Sequence, residues 1–74
     1  MHVMQILFIA INSYETGNYQ LTINQLQFLK PEWLRFRKAK YYYYFYLGKS
    51  YNNIGHVAKG AELLENALVE TRIG

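Results

Sequence analysis

Cysteine and aspartate are both absent from this 74-residue chain, and proline and tryptophan each occur once. Without cysteine no disulfide can tie the fold together and no thiol can serve as nucleophile or metal ligand, a composition that fits a reducing compartment without requiring one. The two histidines, His2 and His56, stand at a terminus and in a turn, and no acid, histidine and hydroxyl share a spacing that suggests a catalytic site. An enzyme is therefore not expected. A metal site would need the histidines to converge from distant positions, so neither a metal nor a cofactor is expected. Gly48, Gly55 and Gly60 are isolated, and no strand precedes them to make a phosphate loop.

Long apolar runs are missing too. The opening segment from Met1 to Ile11 is apolar, but it lacks a basic leader and a small-residue cleavage site and falls short of the roughly 20 residues that span a bilayer. It reads as a buried helix rather than an export signal. The run from Tyr41 to Leu47 is mostly tyrosine, whose hydroxyls would each need a partner in lipid. No membrane span is expected, and the expected location is cytoplasmic.

The sequence that remains is meant to fold. Its hydrophobic content is 51%, with eight tyrosines, whereas disordered segments are poor in aromatics and rich in net charge. A single domain over residues 1–74 is expected, and a chain of this size buries only about 60% of its unfolded surface, so its own core is marginal.

The chain contains a repeat. Ile9, Ala10, Gly17, Tyr19 and Leu26 recur as Leu47, Gly48, Gly55, Val57 and Leu64, each 38 positions on. A fixed offset of roughly 20 to 50 residues marks stacked supersecondary units that bury their apolar faces against one another, which points to binding rather than catalysis.

Punctuation and apolar spacing predict four helices. The first runs from about Val3 to Tyr14, with Ile6, Ile9, Ala10 and Ser13 on one stripe, and stops before the Gly17-Asn18 turn. The second, from about Tyr19 to Lys30, groups Ile23, Leu26 and Leu29 and is closed by Pro31. Proline is tolerated in a first turn and Glu32 complements the positive helix end, so the third helix is expected from about Pro31 to Asn53. It carries Tyr44, Leu47, Gly48 and Tyr51 on a stripe where Gly48 admits another helix closely. The aromatic run from Tyr41 to Tyr46 covers every side of that helix at about 100° per residue, which makes it a central helix. The fourth, from about Val57 to Arg72 with His56 as its cap, packs Ala61, Leu64, Ala67 and Leu68 back onto the third, and Ile73 and Gly74 read as its stop. The hairpins thus cover about residues 3–30 and 31–72.

Tyr44, Leu47-Gly48, Tyr51, Gly55, Gly60, Leu64 and Ala67 together resemble a tetratricopeptide repeat, with Gly60 where that family usually has alanine and Leu64 where it often has an aromatic. The earlier copy keeps Ala10, Gly17, Tyr19 and Leu26 but has Ser13 in place of the aromatic at Tyr51. An offset of 38 instead of about 34 follows if residues around Lys30 to Leu34 lengthen the third helix by one turn. The resemblance implies an all-α fold of two antiparallel helical hairpins in a short right-handed solenoid, whose first helices line a groove for a peptide or protein partner. The groove would hold Tyr42, Phe45, Lys49, Asn52 and Asn53 from the second unit and Met4, Leu7, Phe8 and Ile11 from the first. Lys49 with Asn52 and Asn53 could grip a peptide backbone or carboxylate, or the asparagines could simply serve the turn. The full set of side chains that clamps a terminal carboxylate in other such repeats is absent.

Met4, Leu7, Phe8 and Ile11 also make the first helix apolar nearly all round, which requires a cover. Two repeats are fewer than the roughly three that make a stable array, so the cover is either a second copy of the chain or the rest of a longer solenoid. The competing expectation is nucleic acid, through Lys30, Arg35, Arg37, Lys38 and Lys40 beside Trp33, Phe36 and the tyrosines up to Tyr46, because phosphates attract such cations and bases stack on such rings.

Overall fold

The computed structural model describes residues 2–72. Among these residues there is no strand. The chain forms four α-helices, α1 (Val3–Glu15), α2 (Tyr19–Leu26), α3 (Arg37–Asn53) and α4 (Val57–Thr71), with a 3₁₀ turn at Pro31–Trp33. The helices pair as two hairpins, α1 with α2 and α3 with α4, and α3 packs against all three others. The central position expected for the tyrosine-rich helix is the one it occupies.

The repeat is explicit in the backbone. Gly17 and Gly55, 38 residues apart, both have positive φ, 83° and 95°, which a side chain would strain. Around the first, the amides of Gly17 and Asn18 donate to the carbonyls of Tyr14 and Ser13; around the second, those of Gly55 and His56 donate to Asn52 and Tyr51. This is the Schellman closure, which satisfies the last carbonyls of a helix and reverses the chain. The entries to the helices are less alike. His2 Nδ1 accepts from the Met4 amide (3.2 Å) and Asn18 Oδ1 from the Leu21 amide (3.4 Å), whereas His56 occupies the cap position of α4 without a side-chain bond.

Two expected boundaries move. α2 ends at Leu26, and the amides of Phe28 and Leu29 bond three residues back to Gln25 and Leu26, tightening the chain out of the helix. The third helix does not begin at Pro31. Leu34 is extended and almost wholly buried, and Leu29 is buried too, so the linker sends two leucines into the core from either side of Pro31. A helix unbroken from Pro31 would forfeit that placement. The residues that lengthen the repeat thus form a 3₁₀ turn and an extended step rather than an extra helical turn. The stop expected at Ile73 and Gly74 lies outside the described residues.

The core joins Leu7, Ala10, Ile23, Leu26, Leu29, Leu34, Ala39, Tyr43, Leu47 and Leu63. Two expected stripes are rotated. On α1 the inward residues are Leu7, Ala10 and Ser13, while Ile9 is exposed. On α4 they are Gly60, Leu63 and Ala67, while Ala61 and Leu68 face outward. Helices α3 and α4 cross where Gly48 meets Gly60. A Cβ on Gly60 would lie 2.8 Å from the Gly48 carbonyl oxygen and 3.0 Å from the Asn52 amide nitrogen. The first hairpin makes the equivalent crossing with Ala10 and Thr22, whose hydroxyl donates to the Ala10 carbonyl (3.2 Å).

Gly60→Ala should therefore destabilise the protein. Overpacking against backbone costs about 1–3 kcal/mol and alanine regains only about 1 kcal/mol of helix propensity, so urea unfolding should show a net loss of up to about 2 kcal/mol. Equal or greater stability would mean that the crossing has room to spare.

Candidate functional site

The first helices of the two hairpins, α1 and α3, share a face covered by aromatic rings. On α3, Tyr41 stacks on Phe45 (centroids 5.5 Å apart, planes at 19°), Phe45 meets Tyr46 edge-on (5.2 Å), and Tyr42 lies 5.7 Å from Tyr41 and 6.1 Å from Tyr46. Tyr46 then meets Tyr14 at the end of α1 (5.2 Å), and Tyr14 meets Tyr19 at the start of α2 (5.3 Å). The local cause is helical spacing: positions 41, 42, 45 and 46 lie on one side of the cylinder, while Tyr43 turns into the core. All six rings are half-buried, so each is held by its neighbours yet keeps an accessible edge or face.

The expected groove residues divide on this frame. Phe8 is 58% exposed and occupies on α1 the position that Tyr46 occupies on α3. Met4, Ile11 and Tyr42 are half-buried and pack on the core. Phe45 belongs to the ring surface, and Lys49 is half-buried at its far end. Leu7 is a correction: it lies one turn before Ala10, points inward with it and has no accessible surface, so it cannot contact a partner. Asn53 donates its amide to the Lys49 carbonyl (2.8 Å), so its side chain serves its own helix end. Asn52 is exposed and its carbonyl accepts from Gly55 in the turn. Tyr14, Tyr19, Tyr41 and Tyr46 complete the surface. The signal for the three α3 partners of Phe45 was present as pairs spaced by four within the aromatic run, whereas Tyr14 and Tyr19 reach it only through the hairpin.

The basic residues do not form one helical stripe. Lys30 precedes the 3₁₀ turn with its Nζ 5.8 Å from the Trp33 ring centroid, Arg35 lies in the extended step, and Lys38 Nζ is 5.9 Å from the Tyr42 ring centroid. Arg37 donates to the Arg72 carbonyl at the end of α4 (3.2 Å), and Lys40 is half-buried. Trp33 and Phe36 are exposed beside Arg35 at the rim of a shallow pocket of about 290 Å³ that reaches His2 and Met4.

Among the described residues no group of three histidine, cysteine or acidic side chains converges on a possible metal site, and no helix is long and apolar enough to cross a membrane. What the site offers chemically is aromatic contact, phenol hydroxyls and a few cations. Comparison with protein-family models, curated proteins and solved structures yields no match.

The tyrosines give the fold a pH limit. Burial pushes the Tyr43 phenol above its ordinary value of 10.0, with Tyr44, Tyr51 and Glu32 acting in the same direction. Burial, then Glu70 and Glu32, raises Tyr44; burial, then Glu15 and neighbouring tyrosines, raises Tyr46. The unfolded chain therefore loses these protons first. The stability they contribute is complete below about pH 10 and disappears as pH rises through the folded values. Circular dichroism should show helix content falling together with the appearance of tyrosinate absorbance. Helix content that outlasts complete tyrosine ionisation would contradict this linkage.

Proposed function

We propose that this chain is a tetratricopeptide-like binding and scaffolding module that holds a peptide or protein segment along its α1/α3 face. The observation that carries the reading is the continuous surface of Tyr14, Tyr41, Tyr42, Phe45 and Tyr46, with Phe8 exposed on α1 at the position equivalent to Tyr46. Large rings with two side-chain torsions lose little entropy on contact, and tyrosine offers a hydroxyl as well as an apolar face, which is why such residues dominate protein-binding surfaces. A cytoplasmic location belongs to the same proposal.

Selection from a displayed random-peptide library, followed by titration of the strongest binder, tests it. Phe8→Asp and Tyr41→Ala should each weaken that binder by tenfold or more, while Arg37→Ser should change it by less than about twofold. Failure to enrich any peptide, or an equal effect of Arg37→Ser, would remove the reading.

Nucleic acid is the second reading, favoured by exposed Trp33 and Phe36 standing beside Arg35. Cations and free ring faces together are what single strands use. Gel retardation of generic single- and double-stranded probes at low salt should then show a shift that Arg35→Ser and Trp33→Ala reduce, and an unshifted probe eliminates it.

A further inference from the structure

Residues 38 positions apart sit at the same place in their own hairpins, so a difference in burial between them records what the neighbouring hairpin covers. Ala10 and Gly48, Thr22 and Gly60, and Leu29 and Ala67 are buried in both copies and form each hairpin's own interior. Tyr43, Leu47 and Ser50 are buried on α3, whereas their counterparts Gln5, Ile9 and Asn12 are exposed on α1. For one pair the contrast is 6% for Leu47 against 51% for Ile9. On the second helices the difference runs the other way. Ile23 and Leu26 are buried on α2, while their counterparts on α4 are Ala61, exposed, and Leu64, half-buried.

The molecule therefore contains one stacking interface, made by an α2 stripe against an α3 stripe, and displays an uncovered equivalent of each half. At one end is the α1 stripe with Ile9, beside a groove of about 480 Å³ walled by Ile6, Ile9, Gln25 and Phe28. At the other are Ala61 and Leu64 on α4; Leu68, one turn further on, is 52% exposed, but its counterpart Lys30 is exposed too, so it borders this stripe and is not part of it.

We propose that copies of this chain assemble head to tail, the α4 stripe of one copy docking on the α1 stripe and groove of the next. The occupant is a second copy because each copy carries both faces, and their counterparts already pack together inside the chain, so the assembly continues an existing interface. The receiving hairpin is suited to being covered: residues 3–29 contain a single charged side chain, Glu15. The two faces differ, so the contact is heterologous and does not close at two copies. This inference rests on the reading of the chain as an association module, but it uses the end faces instead of the ring surface.

Sedimentation equilibrium on the full chain, from about 10 µM to about 1 mM, should show a weight-average mass that rises with concentration past that of a dimer. Ile9→Glu and Ala61→Glu, both at exposed positions, should each be monomeric with helix content retained. Mixed in equal amounts they should form a heterodimer and nothing larger, because each keeps the face that the other lacks. If glutamate costs helix content, the same pair made as lysine supplies the measurement. A wild-type chain that stays monomeric, a mixture that stays monomeric, or either variant associating alone overturns the proposal. Peptide binding by these variants should be unchanged, and Phe8→Asp should still assemble, so failure of this inference is separate from failure of the peptide-binding reading.

Discussion

The contact of Gly48 with Gly60 sets the geometry on which the second hairpin, and through it the whole stack, depends. Each glycine inside a helix costs on the order of 1 kcal/mol relative to alanine, and two facing one another are tolerable only where backbone must approach backbone. The approach is that close: the Cβ missing from Gly48 would stand 3.0 Å from both the Gly60 carbonyl oxygen and the Leu64 side chain. With α4 drawn down onto α3, Leu63 and Ala67 complete the interior and the outer side of α3 is left to the aromatic rings. The first hairpin solves the same crossing differently, since Ala10 and Thr22 are larger and the threonine hydroxyl bonds across the gap.

The backbone plan of this fold was legible because glycine and proline act locally. Gly17 and Gly55 lie where positive φ is needed, and their common offset of 38 carries the whole repeat. What was not legible were the rotations. Periodicity places Ile6, Ile9, Ala10 and Ser13 on a single stripe, but Ile9 faces outward, because the described helices pack on Leu7, Ala10 and Ser13 instead. Ala61 and Leu64 differ in the same way at the other end, since their counterparts Ile23 and Leu26 are buried in the first hairpin, whereas Leu68 corresponds to exposed Lys30. The start of α3 is hidden in the sequence for another reason. Proline is compatible with a first turn, and only the demand to bury both Leu29 and Leu34 decides against continuous helix.

The candidate site shows the same division. A run from Tyr41 to Tyr46 must surround a helix, and the sequence alone does not say which rings face out. Packing of α3 against α1, α2 and α4 turns Tyr43 inward and leaves Tyr41, Tyr42, Phe45 and Tyr46 on the side shared with α1. Cations that looked like a cluster are dispersed by the broken helix start, with Arg37 held to the end of α4 and Lys38 over Tyr42. A surface dominated by half-buried phenol rings with sparse charge suits a polypeptide better than a phosphate backbone, whose binding rests on many cations acting together.

The strength of stacking between copies follows from comparing it with stacking within one chain. Burying a leucine or isoleucine stabilises by roughly 1.5–3 kcal/mol, so Ile23, Leu26 and Leu47 at the internal interface together offer several kcal/mol. Inside the chain the short linker through Pro31 presents α3 to α2 at an effective concentration on the order of millimolar, and most of that energy survives as stability. Between copies, lost translational and rotational freedom removes about 4–15 kcal/mol before any net affinity remains. The same interface that is secure between hairpins is therefore weak between molecules, and it gains strength chiefly where copies are concentrated or tethered. In the proposed assembly the aromatic face would stay free at low concentration, and several such faces would line up in series as copies accumulate. The uncovered ends would then tie the number of binding faces in a row to the amount of protein present.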